Sequence, residues 1–189
     1  SGGDGGGGAG MVMVASGTVT NNSLITGGNS GIGTNAAGGG AGAIFTTVYT
    51  ILNNSSTGSI TGGKGIRSGA GVLLFAPNMS IYNEGTITGG DISYPIGGEG
   101  GVGISVISDT TITNTGSIKG GNGQSGGYYR FGLTAVGCGE GSGGAVGVKD
   151  YADSEDYIDR IMNVGGAGIE ARGGNVTVVT SGSIAGGSV

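Results

Sequence analysis

The side chains best suited to chemistry are five acids within one charged segment, KDYADSEDYIDRIMN at 149–163. Glycoside hydrolysis needs a pair of carboxyl groups, but here all the acids come from one stretch. The segment is interpreted in two ways: as a solvated loop or short helix, with Asp156 and Arg160 paired four residues apart, or as a protrusion that binds a ligand or partner. Its candidate binding residues are Asp150, Asp153, Glu155, Asp156 and Tyr157.

A second candidate group is aromatic and basic, in the string GGYYRFG at 126–132. Exposed tyrosine and arginine are favoured anchors at protein interfaces, so Tyr128, Tyr129 and Arg130 are candidate binding residues. The alternative is that they cover the edge of a folded unit.

Several kinds of chemistry are excluded by what the chain lacks. It has no histidine and one cysteine, Cys138, so Ser-His-Asp and Cys-His catalysis and His/Cys zinc sites are unavailable. We therefore expect no catalytic residues, metal or cofactor. The net charge of −5, with only seven Lys and Arg, argues against nucleic-acid binding. No run of 18 or more apolar residues predicts a transmembrane helix.

Glycine dominates the composition, with 51 of 189 residues. Glycine inside a helix or strand is destabilising by roughly 0.5–1 kcal/mol, so the glycines are expected where the chain turns. Between them lie short Ile, Val and Leu runs flanked by Thr, Ser and Asn, a composition typical of strands and turns.

A repeated phrase organises these runs: Asn, a spacer, Gly, Ser or Thr, Ile, a polar residue and Gly-Gly. The first glycine of each closing pair falls at 27, 62, 89, 120 and 186, at intervals of 35, 27, 31 and 66 residues. The last interval is about twice the others and predicts a degenerate copy within it. A second phrase, as in GAGVLLF at 69–75, opens each unit and places that copy at GAVGV, 144–148.

Each unit holds three strands that are too short to be stable alone, so the units must stack into a solenoid with a continuous core. The sequence predicts an all-β, right-handed parallel β-helix of about six to seven coils, with a non-repetitive excursion near 122–163. Isoleucine in TITGG should point inward. Asn21, Asn53, Asn83 and Asn114 are either independent turn residues or a stacked amide ladder.

The recurring N-x-G-[ST]-I-x-GG followed by G-x-G-[IV] resembles the repeats of autotransporter passenger domains, the β-helical adhesins and toxins of Gram-negative bacteria. The resemblance covers about residues 10–187 and is a pattern of repeats rather than a signature of one activity. It implies that residues 1–189 are a single β-helix fragment of a longer secreted passenger, exported through the outer membrane to the bacterial cell surface.

The resemblance favours a non-enzymatic adhesion module, with a host surface protein or glycan, or an identical passenger, as partner. Two alternatives stay open: a glycan-processing β-helix enzyme such as a lyase or a tail-spike-like hydrolase, and a stalk that binds nothing. Acids from different coils meeting in one groove would favour the enzyme, whereas acids confined to one loop would favour the adhesin.

Overall fold

The structure, a computed structural model, describes residues 5–31, 38–92, 99–123, 147–148 and 165–188. This part of the chain contains sixteen strands and no helix, so the all-β prediction is confirmed. It accordingly holds no helix that is long and apolar enough to cross a membrane.

The strands form three parallel sheets. The first sheet contains β1 (Met11–Met13), β4 (Ala43–Phe45), β7 (Val72–Leu74), β10 (Ile104–Val106), β13 (Gly147–Val148) and β14 (Ile169–Ala171). The second sheet contains β2 (Gly17–Asn21), β5 (Thr50–Asn54), β8 (Met79–Asn83), β11 (Thr110–Asn114) and β15 (Val176–Thr180). The third sheet contains β3 (Leu24–Thr26), β6 (Ser59–Thr61), β9 (Thr86–Thr88), β12 (Ser117–Lys119) and β16 (Ser183–Ala185).

Consecutive strands of the chain belong to different sheets, and each strand pairs with its equivalent one coil further along. This is the stacking of a parallel β-helix, as the repeats predict. The described residues make five complete coils, fewer than the predicted six to seven.

The predicted degenerate coil does not lie between the fourth and fifth coils. Strand β10 pairs directly with β14, through Ile104 and Ile169. The chain at Gly147–Val148 does form a strand, but it pairs with the far side of β14. The described part of the 66-residue interval therefore contains one complete coil and the strand β13.

The core is built from columns of stacked apolar side chains. In the third sheet, Ile60, Ile87 and Ile118 are in register and fully buried, so the inward orientation predicted for this isoleucine is confirmed. Burying one such side chain contributes about 1.5–3 kcal/mol. The other two sheets add buried residues to the same cluster, among them Phe45, Leu52, Leu74, Ile81, Val106, Ile112 and Ile169.

A ladder of side-chain amides runs through the corner after the second sheet. Asn21 donates from Nδ2 to Oδ1 of Asn54 at 2.8 Å, Asn54 donates to Asn83 at 2.7 Å, and Asn83 donates to Asn114 at 2.7 Å. The ladder ends where Asn114 donates to the Thr180 hydroxyl at 3.1 Å. In each amide the Nδ2 also donates to a backbone carbonyl of the following coil, for example Asn54 to Thr86 at 3.2 Å. Every amide thus ties two coils together.

The prediction of Asn53 as a ladder residue is wrong, whereas Asn21, Asn83 and Asn114 all belong to the ladder. Asn54 takes the position, since it is in register with Asn21 and Asn83 and is only 1 % exposed. Alternate residues of a strand point to opposite faces, so Asn53 faces outward, in register with Tyr82.

A glycine seam forms the corner between the third sheet and the first. The chain leaves each coil through a pair of glycines, the exit, such as Gly62–Gly63. It begins the next coil at another glycine, the entry, such as Gly69. Nine backbone hydrogen bonds of 2.7–2.9 Å join the exits and entries into one series from Gly187 to Gly8. A Cβ on most of these glycines would lie closer than 3.0 Å to a neighbouring backbone atom. Close approach of backbones is therefore why glycine is needed here.

The seam also explains the uneven repeat. The segment from the entry glycine to the exit glycine is nearly constant, at 23, 21, 20 and 21 residues for 40–62, 69–89, 101–120 and 166–186. The chain between exit and entry varies instead, over 29–38, 64–68, 91–99 and 122–164. All four connections leave at the same corner.

We predict that Gly90→Ala destabilises the protein by about 1–3 kcal/mol or more, because its Cβ would collide with the Gly63 carbonyl, which is backbone and has little room to move. The matched control is Gly8→Ala in the same seam, where no atom lies within 4 Å of the new methyl group. Urea unfolding measures both. Equal stability of the two variants would show that the seam does not depend on close backbone approach.

We predict that Asn54→Ala lowers the free energy of unfolding by about 2–4 kcal/mol, because it leaves buried amide groups of Asn21 and Asn83 without partners. The adjacent Asn53→Ala should change stability by no more than about 0.5 kcal/mol, as is usual for outward positions. Thermal and urea unfolding compare the two variants. A larger loss at Asn53 would contradict the register of the ladder.

Candidate binding face on the first sheet

The outer faces of the second and third sheets are polar. Their outward positions are occupied mostly by threonine, serine and asparagine, as at Thr111 and Thr113 in β11 and at Thr86 and Thr88 in β9. Short polar side chains of this kind interact well with water and present little apolar surface. The exposed large apolar side chains on these two faces, Leu24, Tyr82 and Val179, stand singly among polar ones, which is normal for a solvated sheet.

The outer face of the first sheet is different, because apolar side chains occupy it over four coils. Two columns make up this first-sheet face. The first column lies at the middle residue of each strand and contains Val12, Ile44, Leu73, Ser105 and Glu170. The second column lies at the residue that follows each strand and contains Val14, Thr46, Phe75, Ile107 and Arg172.

Exposure of this apolar surface is substantial. Val12 is 53 % exposed, Val14 76 % and Phe75 49 %. Scattered exposed apolar residues are normal in proteins, but a contiguous apolar patch marks an interaction site. The first-sheet face is therefore the candidate binding surface among the described residues.

The connections from the glycine seam border this face and turn its middle into a groove. The groove has a volume of about 440 Å³. Leu73 and Ser105 lie on its sheet side, and Arg67 and Glu99 line it from the seam side. Those two residues are bridge partners in neighbouring connections, 64–68 and 91–99.

A second pair of charges stands at the C-terminal end of the groove. Arg172 Nη2 lies 2.9 Å from Glu170 Oε2, although that contact lacks the geometry of a hydrogen bond. The Arg172 side chain is 52 % exposed and that of Glu170 25 %, and ion pairs in such settings contribute little stability. Both side chains line the groove.

Two carboxyl groups from different coils, Glu99 and Glu170, line the same groove. This is the arrangement that the enzyme alternative requires. Both acids have arginines nearby, Arg67 beside Glu99 and Arg172 beside Glu170. The described residues contain no group of three or more acids and cysteines placed to hold a metal ion.

The binding residues predicted from the sequence all lie outside the described residues. These are Tyr128, Tyr129, Arg130, Asp150, Asp153, Glu155, Asp156 and Tyr157. Their proposed role stays a prediction.

Sequence reasoning missed the first-sheet face, yet a signal for it exists. The run VLLF at 72–75 is apolar at inward and outward positions alike, and ISVI at 104–107 places the apolar Ile107 outward, whereas strands such as TTITN at 110–114 alternate with threonine. A strand that is apolar on both faces is typical of a sheet whose outer face is also covered by other protein or by a ligand. Comparing strands by sheet, rather than by coil, would have found it.

Comparisons of this chain with protein-family models, with curated proteins and with solved structures give no match.

Proposed function

We propose that this chain is an adhesion module: a rigid rod that presents the first-sheet face to a partner on another surface. The observation that carries the proposal is the contrast between this apolar, partly charged face and the polar outer faces of the other two sheets. Backbone hydrogen bonds between the stacked coils hold the face in a fixed shape, and a preorganised surface binds at lower entropic cost.

The setting of this function follows the repeat resemblance. The chain acts as a segment of an autotransporter passenger on the bacterial cell surface, where it meets host proteins, host glycans or identical passengers. The polar outer faces of the second and third sheets keep the rod soluble around the contact surface.

A glycan-processing enzyme is the second candidate, and the meeting of Glu99 and Glu170 at one groove is the observation that favours it. Adhesion is preferred because the apolar face extends well beyond this groove, to Val12 and Val14 of the first coil, which are 53 % and 76 % exposed. A third possibility is a stalk that binds no partner, but this does not explain why the first-sheet face exposes apolar side chains.

The test uses beads coated with the whole chain and allowed to attach to cultured epithelial cells and to each other. Wild-type beads are expected to attach in at least one of these assays. The double variant Phe75→Lys/Ile107→Lys should reduce attachment about tenfold or more, because two desolvated lysines would oppose contact. The matched control is Tyr82→Lys/Val179→Lys on the outer face of the second sheet, which should change attachment less than about twofold.

Circular dichroism and thermal unfolding confirm that both double variants are folded. Attachment lost equally in both would disprove the assignment of the face, and wild-type beads that attach to nothing would support the stalk. Soluble polysaccharide incubated with the chain should gain no reducing ends. A gain that is abolished by Glu99→Gln or Glu170→Gln would establish the enzyme instead.

A further inference from the structure

The groove in the first-sheet face has the size of a small-ligand site. Its volume of about 440 Å³ lies within the range of roughly 300–1,000 Å³ usual for such sites. It is bounded by backbone that the glycine seam fixes, including Gly69 and Gly101. A site of this kind is formed before its ligand arrives.

One side of the groove is apolar. Leu73, Phe75, Val102 and Ile107 contribute to it, and Phe75 offers an aromatic ring that is half-exposed. These side chains favour a ligand that has an apolar face of its own, since burial of that face removes both surfaces from water.

Ser105 supplies the most specific feature. It is only 7 % exposed, although it stands on the outer side of the first sheet and lines the groove. Its hydroxyl can both donate and accept a hydrogen bond, and the side from which a ligand approaches it is the groove.

The charged groups around Ser105 balance one another. Arg67 and Arg172 provide donors, Glu99 and Glu170 provide acceptors, and the four formal charges sum to zero. A charged ligand would meet repulsion as well as attraction here. Hydroxyl groups fit better, because each one both donates and accepts a hydrogen bond.

We propose that this groove binds a neutral sugar unit of an oligosaccharide. The apolar face of the sugar ring packs against the side formed by Leu73 and Phe75, and ring hydroxyls bond to Ser105 and to the charged side chains. This inference rests on the proposed adhesive function and names the partner chemistry of the same face. A purely aliphatic ligand would make no hydrogen bond with Ser105, so the polar part of the groove disfavours it.

The experiment titrates the whole chain with three neutral disaccharides, maltose, lactose and cellobiose, and with the acidic trisaccharide sialyllactose as comparison. Saturation-transfer NMR detects contact and isothermal titration gives Kd. At least one neutral disaccharide should bind more tightly than about 10 mM, and more tightly than sialyllactose.

Two matched pairs of variants locate the site. Ser105→Ala and Phe75→Ala should each weaken binding about three- to tenfold, as expected for one lost hydrogen bond or one lost packing surface. Ser80→Ala and Tyr82→Ala change a serine and an aromatic residue on the outer face of the second sheet and should leave Kd unchanged.

The proposal is overturned if none of the three disaccharides binds up to about 10 mM, if sialyllactose binds best, or if Ser105→Ala binds as well as the wild-type chain. If beads still attach through Phe75 and Ile107 while no neutral disaccharide binds, the sugar inference fails and the adhesive function stands. If neither beads nor disaccharides bind, both fail together.

Discussion

Close contact between backbones at a single corner is the constraint on which the rest of this structure depends. The chain leaves one coil and enters the next through glycines whose N–H and C=O groups bond directly across the seam, as Gly90 does to Gly69 and Gly101 does to Gly90. At most of these glycines a side chain would have no space. Because interior backbone groups must find hydrogen-bond partners, this corner satisfies its polar groups without the help of side chains, and the glycine content follows from that geometry.

The remaining register comes from residues that repeat once per coil. The isoleucine column of the third sheet and the asparagine ladder after the second sheet lie four residues apart in most coils, as at Asn83 and Ile87. A slip of one residue would turn the isoleucine to solvent and its polar neighbours to the core. The ladder adds directional hydrogen bonds to the burial of the isoleucines. The observed alignment of the coils is therefore strongly favoured over alignments that are shifted by one residue.

The sequence predicts the fold well because each coil repeats the same physical requirement. Inward isoleucine, glycine pairs at turns and stacked asparagine all follow from the repeated phrase. Asn53 was misassigned because coil two has two adjacent asparagines and two extra residues before Ile60, so spacing alone does not align them. The place of the degenerate copy was mispredicted because order in the sequence does not fix order in the stack: β13 precedes β14 in the chain but pairs with its far side. The groove joins Arg67, Ser105 and Glu170, which are far apart in sequence and become neighbours only through stacking.

The constant coil and its variable connections give the rod a natural place for insertion. A connection of five residues, 64–68, and one of 43 residues, 122–164, leave the rod at the same corner and return to the same kind of glycine entry. Each doubling of loop length costs only about 0.6 kcal/mol of closure entropy, so the difference between these two connections amounts to roughly 2 kcal/mol. New recognition loops can therefore be acquired, exchanged or lost at this corner while the scaffold beneath them stays the same.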